Sequence, residues 1–247
     1  MTGKIYSLGV GPGDKELITL KAHRILGTVG IIVYPAPDTG PSFARSIVDD
    51  YIKNWQIEIP IVIPMKLERF PAREIYDKAA VDIAAHLQAD RDVAVLCEGD
   101  PFFYGSFMYL FERLAGMYEI EIVPGVSSLM ACAAALRRPL AARNDALTVI
   151  PAPMHNRQIL ELLERSDAAA IMKIGRHFVR VRELIKQAGL MQAAGYLERV
   201  GLENQRVMPL SEVEDDSAPY FSMILIYKGA EGWIQDCEMP MQSGLSG

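Results

Sequence analysis

The sequence predicts an α/β fold in two halves, with a parallel sheet in the first half. Short apolar runs alternate with longer amphipathic segments along residues 5–136, which is typical of repeated strand, helix, strand units. Three predicted strands end in loops rich in glycine or proline, and the periodic pattern breaks between Arg137 and Asp145. With 247 residues, half of them hydrophobic, the chain is long enough for one or two domains.

The first half contains five predicted strands, at residues 5–8, 31–34, 59–63, 93–97 and 120–123. Pro35 and Pro37 are expected to stop the second strand, and the short apolar run at 93–97 is typical of a buried central strand. Asp14 is the expected cap of the first helix. Further helices are predicted at 42–52, around 75–87 where apolar residues recur every fourth position, near 108–114 and at 129–136.

The second half contains four further predicted strands, at residues 147–150, 169–174, 193–200 and 220–227. Helices are expected at 157–163 and 178–187. Because Pro139 lies where the periodicity stops, we predict an N-terminal domain at 1–138, a linker at 139–144 and a C-terminal domain at 145–247.

Composition argues against several classes of function. The net charge of −6 and the pI near 5.3 are unfavourable for a nucleic-acid-binding protein, which needs clustered cations. The three cysteines lack C-x-x-C spacing and the four histidines lack H-E-x-x-H spacing, so we expect neither a disulfide framework nor a metal site. No basic leader and no apolar run of about 18 residues is present, which predicts a cytoplasmic protein without a membrane span.

The first loop, GVGPGD at residues 9–14, superficially matches the dinucleotide-binding pattern G-x-G-x-x-G. Its sixth position is Asp14, whose carboxylate would repel a pyrophosphate, and Pro12 lacks an N–H that could bind one. The loops EGDPFFYGS at 98–106 and PGVSS at 124–128 follow two further strands. Each alone could be an ordinary turn or helix cap. Three such loops at strand ends of one sheet instead indicate a ligand site at its carboxyl edge.

These three loops resemble those of the tetrapyrrole methyltransferases of uroporphyrinogen, precorrin and diphthine type. The segments CEGDPFFYGSFMYLFERL, PGVSSLMACAAAL, MKIGR and YFSMILIYKG extend the resemblance from about Lys4 to Gly229. It implies two α/β domains of the tetrapyrrole methylase type, with a parallel sheet in the first, a mixed sheet in the second and the active site in the interdomain cleft. It also implies S-adenosylmethionine as methyl donor, precorrin-2 or a related tetrapyrrole as substrate, and a homodimer.

The resemblance also assigns residues to the donor, with contacts expected mainly from loop backbone. These cofactor-binding residues are Pro12, Gly99, Asp100, Phe103, Ser127, Ser128 and Met172. By their position in the sequence, Glu98 and Tyr104 are the catalytic candidates, because either could accept or relay the proton that methylation displaces. Each also fits a structural role, at a strand end or beside a helix.

An acid-rich substrate requires basic groups at the site despite the acidic composition. Arginine suits carboxylates because its guanidinium makes two-point contacts. The predicted substrate-binding residues are Asp14, Arg45, Arg137, Arg138 and Arg143, and further candidates are Lys66, Arg69, Arg73 and Arg176. The alternatives left open are methylation of another ring position or of cobalt-factor II, a nicotinamide oxidoreductase, and a non-catalytic tetrapyrrole carrier.

Overall fold

The structure, a computed structural model, describes residues 2–64 and 71–237, so the candidates Lys66 and Arg69 lie outside the described residues. The chain divides into two compact units, Met1–Ser127 and Ser128–Gly247. The sequence placed this boundary later, at 138. The difference is one helix, Ser128–Leu136, which contacts three strands of the second sheet and therefore groups with the second unit.

The first unit is built on a parallel five-stranded sheet, as predicted. Its strands are β1 (Ile5–Gly9), β2 (Ile31–Pro37), β3 (Ile57–Ile63), β4 (Val93–Cys97) and β5 (Ile120–Val123), in the order β3-β2-β4-β1-β5. The connecting helices are α1 (Leu20–Leu26), α2 (Phe43–Ile47), α3 (Pro71–Gln88) and α4 (Phe107–Leu114). Every residue of β4 is buried, which confirms the predicted central strand.

Two helical layers cover the faces of this sheet. Helices α1 and α2 pack through Ile25, Leu26 and Ile47 on one face, against residues such as Leu8 and Leu96. Helices α3 and α4 pack on the opposite face, where Ile83, Phe107 and Leu110 contact a second set of strand residues that includes Ile5 and Val95. The alternation of side chains along each strand therefore supplies two separate cores.

The strand order reverses between β1 and β4. After β1 the chain moves through α1 on one face to β2, whereas after β4 it moves through α4 on the other face to β5. Strands β1 and β4 are neighbours. The loops that leave them diverge because one leads to α1 and the other to α4, on opposite faces of the sheet. Ligands of open α/β sheets bind at such a reversal point, outside the carboxyl ends of the strands.

Three local features of the first unit differ from the sequence prediction. Asp14 caps a 3-10 turn (Lys15–Leu17), and Thr19 is the cap of α1. Helix α2 ends at Ile47 and a 3-10 turn follows at Asp49–Tyr51, so the predicted helix at 42–52 is two short pieces. Strand β2 continues through Pro35 and Pro37 because from Pro35 onward it pairs with β3 alone, and prolines are tolerated where one edge is open.

The second unit is built on a mixed five-stranded sheet. Its elements are α5 (Ser128–Leu136), β6 (Leu147–Pro151), α6 (Asn156–Arg165), β7 (Ala168–Met172), α7 (Phe178–Gln187), β8 (Ala194–Glu198), β9 (Arg206–Pro209), β10 (Ser222–Tyr227) and α8 (Gly232–Gln235). The strand order is β6-β7-β10-β8-β9, in which β6 and β7 are parallel and the other pairs are antiparallel. Helices α6 and α7 pack on one face of this sheet through residues such as Ile159 and Val181.

No helix in the described part of the chain is long and apolar enough to cross a membrane.

Candidate functional site

The three loops predicted from the sequence converge at the carboxyl edge of β4, β1 and β5. Val10 N–H donates to Cys97 O at 3.0 Å, and Gly99 N–H donates to Gly11 O at 2.7 Å. Gly11 and Gly99 thereby form an isolated antiparallel bridge between the first two loops. Both glycines have positive φ, 87° and 63°, a conformation that is easily reached only without a Cβ.

The third loop joins this cluster through close backbone contacts at two glycines. A Cβ on Gly9 would lie 2.7 Å from Gly99 O, and a Cβ on Gly125 would lie 2.7 Å from the Cα of Gly9 and still closer to Gly99 O. Real Cβ atoms do not approach other atoms this closely. The three loops therefore meet through their backbones, and the packing depends on glycine at both positions.

Asp100 holds the loops together by three hydrogen bonds. Its Oδ1 accepts from the N–H groups of Phe102 and Phe103 at 2.9 and 3.1 Å, and its Oδ2 accepts from Gly125 N–H at 3.1 Å. These bonds connect the second loop to the third, and contact of Asp100 with the donor stays a prediction.

Glu98 lies between β4 and the Gly99 bridge. Its carboxyl group accepts a hydrogen bond from the backbone N–H of Ala44, and burial raises the pKa of Glu98 above its ordinary value. A carboxyl with a raised pKa is a stronger base when it ionises. Burial also raises the pKa of the neighbouring Cys97 thiol to about 12, so Cys97 is not an activated nucleophile.

The remaining predicted residues of the first unit differ in exposure. Pro12 is buried beside Gly11, and Asp14 accepts from Glu16 N–H at 2.9 Å as the cap of the 3-10 turn. Phe103 and Tyr104 stack edge to face at 5.2 Å, and Tyr104 is 40% exposed with φ of 58°. Ser127 and Ser128 are both partly buried where the third loop leads into α5.

The four predicted arginines lie in unlike environments. Arg45 pairs with Glu58 and Asp49, each at 2.5 Å, so its charge is compensated. Arg137 is exposed, and Arg143 pairs with Glu231 at 2.9 Å. Arg138 is only 5% exposed and donates to the carbonyls of two residues of the second unit, Ala193 at 2.9 Å and Tyr227 at 3.2 Å. Its geometry serves the fold of the second unit, and contact with a substrate stays a prediction for all four.

The second unit places Met172 at the end of β7, paired with Met223 of β10. Near it the structure shows a buried carboxylate that the sequence reasoning did not select. Glu198, 3% exposed at the end of β8, accepts from Tyr196 OH at 2.7 Å, from Arg206 at 3.0 Å and from Arg199 at 3.2 Å. Burial and this carboxylate together raise the pKa of Tyr196. The available signal was Tyr196 and Glu198 on one face of a strand followed by two arginines.

The loop cluster has the features that a sulfonium donor requires. The segments 9–14, 98–106 and 124–128 contain no lysine or arginine, and the polar side chains in them are carboxyl groups and the hydroxyl groups of serine and tyrosine. A neutral to acidic surface is compatible with a positively charged ligand and unfavourable for a phosphate. Within the described residues no group of three or more histidine, cysteine or acidic side chains could hold a metal ion.

Residues 4–214 match the sequence family of tetrapyrrole (corrin/porphyrin) methylases. The chain belongs to the tetrapyrrole methylase family. Among curated members, a precorrin-2 C(20)-methyltransferase from Sinorhizobium sp is 36% identical over 94% of this chain and 96% of its own length. The cobalamin biosynthesis protein CobIJ of Mycobacterium tuberculosis strain H37Rv is 38% identical over 92% of this chain. The match covers 46% of that protein, so the chain spans about half of this relative's length.

Solved structures confirm the predicted tetrapyrrole methylase fold. A uroporphyrin-III C-methyl transferase from Thermus thermophilus, crystallised with S-adenyl homocysteine, superposes with a TM-score of 0.65 over 90% of this chain and 97% of its own at 21% identity. The parallel first sheet and the mixed second sheet of this tetrapyrrole methylase are therefore those of the family.

Proposed function

We propose that this tetrapyrrole methylase transfers a methyl group from S-adenosylmethionine to carbon 20 of precorrin-2, giving precorrin-3A in cobalamin biosynthesis. The observation that carries the proposal is the convergence of three backbone loops, free of basic residues, at the reversal point of the first sheet. The choice of carbon 20 is supported by similarity to the Sinorhizobium enzyme along nearly the whole of both chains.

The donor is expected to bind the first unit through the loop backbone. When bound, S-adenosylmethionine supplies a methyl group on a sulfonium sulfur, and this sulfur is the leaving group of an in-line displacement. The chain's contribution is to position the reactants, because near-attack alignment can be worth about 7–11 kcal/mol. The loop backbones pack closely against one another because Gly9, Gly99 and Gly125 lack a Cβ. Pro12 lies in the first loop. Asp100 fixes the separation of the second and third loops through its hydrogen bond to Gly125.

Glu98 is proposed as the group that accepts the proton lost from the methylated carbon. It lies at the carboxyl end of β4 beside the loop cluster, and its raised pKa makes its ionised form a stronger base than an exposed glutamate. Tyr104, partly exposed on the same loop, is the proposed relay if the proton leaves by another path. The attacking carbon is activated by the pyrrole nitrogens of the substrate, so the protein needs no stronger base.

A homodimer and the contacts of Phe103, Ser127, Ser128 and Met172 with the donor stay predictions from the family resemblance. A cytoplasmic location stays a prediction from the sequence. Contact of Asp14 and the arginines with the substrate also stays a prediction.

The proposal is tested by incubating the purified protein with precorrin-2 and donor carrying a ¹³C-methyl group, and locating the label by NMR. We expect one labelled methyl per product at carbon 20, and S-adenosylhomocysteine in equal amount. Parallel reactions with cobalt-factor II distinguish the metal-free substrate from the cobalt-containing one.

Label at another carbon would contradict the regiochemistry and retain the class of reaction. Binding of precorrin-2 without consumption of donor would instead favour a carrier. A thermal shift with NAD and none with S-adenosylhomocysteine would favour an oxidoreductase.

A further inference from the structure

The non-glycine residues with left-handed backbone in the described part of the second unit are all basic. They are Arg137, Arg143, Lys173 and Arg199, with φ of 56°, 46°, 57° and 48°. Glycine, asparagine and aspartate adopt this conformation most readily, and a long side chain there costs stability. Residues held in such a conformation concentrate at functional sites. Arg137 and Arg143 are already substrate candidates, whereas Lys173 and Arg199 have no assigned role.

Lys173 and Arg199 occupy equivalent places on one edge of the second sheet. Lys173 directly follows β7 and Arg199 directly follows β8, and both strands run antiparallel to β10, which lies between them. Their backbones are therefore two strand spacings apart, about 10 Å. Arg199 N–H donates to Phe221 O at 2.8 Å, which places Arg199 beside the residue that precedes β10.

Basic and aromatic side chains lie around this pair. Arg176 is exposed two residues before α7, and burial together with the charges of Arg180 and Arg176 lowers the pKa of His177. Tyr220 and Phe221, 63% and 40% exposed, meet at 5.0 Å between the two strand ends. Glu198 pairs with Arg199 and Arg206, and Asp215 pairs with Arg206. Glu203, in the turn after β8, is exposed.

We propose that Lys173 and Arg199 form a two-point clamp for carboxylate groups of the polycarboxylate substrate, on the carboxyl edge of β7 and β8. The inference rests on the proposed function and adds two specificity-determining residues to it. A macrocycle fringed by acid side chains offers several carboxylates, so two basic residues whose backbones lie about 10 Å apart can each bind one. Lys173 is exposed, and the Arg199 side chain is 36% exposed and pairs with Glu198 at 3.2 Å.

The decisive variant is Lys173→Asn, because asparagine removes the cation and suits left-handed backbone better than lysine. We expect the KM for precorrin-2 to rise about tenfold with kcat and the Kd for S-adenosylhomocysteine unchanged. The Tm should stay equal or rise by about 2 °C, since strain is relieved. Lys173→Arg keeps the charge and should restore the KM. Arg199→Asn should also raise the KM, and Arg199→Lys should restore it in part.

Asp90→Asn is the matched control. Asp90 also has left-handed backbone, φ of 57°, but it lies in the first unit between α3 and β4, at the amino end of that strand. The substitution should leave the KM for precorrin-2 unchanged. An unchanged KM in Lys173→Asn, or a fall in donor affinity equal to the rise in KM, overturns the clamp.

A binding assay separates this inference from the proposed function. Uroporphyrin III is a stable porphyrin with eight carboxylates, and its octamethyl ester is the neutral counterpart. Fluorescence titration should show binding of the acid that weakens about tenfold in Lys173→Asn and falls with added salt, and little binding of the ester. Loss of methyl transfer with this pattern retained would refute the proposed function alone. Active enzyme with equal porphyrin affinity in parent and variant would refute the clamp alone.

Discussion

The two sheets end in edges of different chemistry. At the carboxyl edge of β1, β4 and β5 the chain presents glycine backbone and acidic side chains, with no lysine or arginine in the three loops. At the corresponding edge of β7 and β8 it presents Lys173, Arg199 and Arg206 beside exposed aromatic rings. At the first edge, glycine lets the loop backbones approach one another closely. At the second edge, basic side chains can attract anions. Added volume should therefore damage the first edge, and loss of charge the second.

The largest expected effect is that of added volume at the first edge. Gly125→Ala places a Cβ against Gly99 O and the Cα of Gly9, so the loops must separate. We expect the Kd for S-adenosylhomocysteine to rise about 100-fold by calorimetry, since overpacking costs about 1–3 kcal/mol. Gly116→Ala is the control, because a Cβ there meets nothing within 4 Å. Equal donor affinity in the two variants would mean that the glycine contacts do not shape the site.

The next effect concerns Glu98, where substitution by glutamine should lower kcat but raise stability at higher pH. Glu98→Gln should lower kcat about 100-fold, the usual contribution of a general base, with donor affinity retained. In the parent, kcat should rise with pH as Glu98 ionises. Folding raises the pKa of Glu98 above its ordinary value of 4.5, because burial disfavours the ionised carboxylate. The protonated carboxyl therefore makes its full contribution to the free energy of unfolding below pH 4.5, and this contribution is lost as the pH rises through the folded pKa.

Thermal unfolding of both proteins across pH checks the sign. Glu98→Gln should gain stability relative to the parent as the pH rises, because glutamine cannot ionise. A parent and variant with parallel pH profiles of Tm would contradict the burial of this carboxyl, whatever the activity.

Arg138→Met tests whether this arginine belongs to the fold or to the substrate. The change leaves Ala193 O and Tyr227 O without their donors, so we expect the free energy of unfolding to fall by about 2 kcal/mol in urea. Exposed Arg137→Met should change it by less than about 0.5 kcal/mol and should instead raise the KM for the tetrapyrrole. The reverse pattern would return Arg138 to the substrate-binding set.

The smallest expected effect comes from removing the acceptor role of one of the two carboxylate oxygens of Asp100. Asp100→Asn retains an oxygen that can accept from Phe102 and Phe103 N–H, but its amide cannot accept from Gly125 N–H. We expect a rise of about fivefold in donor Kd, and a larger rise for Asp100→Ala. Equal values for the two variants would show that the link to Gly125 contributes nothing.

The sequence predicted the elements whose pattern is local and strong. The apolar runs of β4 and β5 and the four-residue period of α3 define those elements within a few residues. The three loops were predicted to share one edge because parallel strands end together, and they do. Strand β9 (Arg206–Pro209) was missed because its sequence, RVMP, has only two consecutive apolar residues between an arginine and a proline.

Features that depend on distant partners were not predictable. By propensity, Pro35 and Pro37 are expected to stop a strand. Strand β2 continues through them because this part of it pairs with β3 and not with β4, which the sequence does not show. Arg138 resembled an exposed hinge arginine until its carbonyl partners, 55 and 89 positions away, were known. Glu198 carries no motif, because its two arginines lie one and eight residues away and face it only through the turn into β9.

Proline at residue 60 interrupts the open edge of strand β3. Strand β3 is the outermost strand of the first sheet, and Ile57 N–H points inward to Gly30 O. By alternation, the nitrogens of Glu58, Pro60 and Val62 point outward, and the middle one carries no hydrogen. Another chain cannot continue a hydrogen-bonded ladder along β3 past this gap, so extension of the first sheet is unfavourable at this edge.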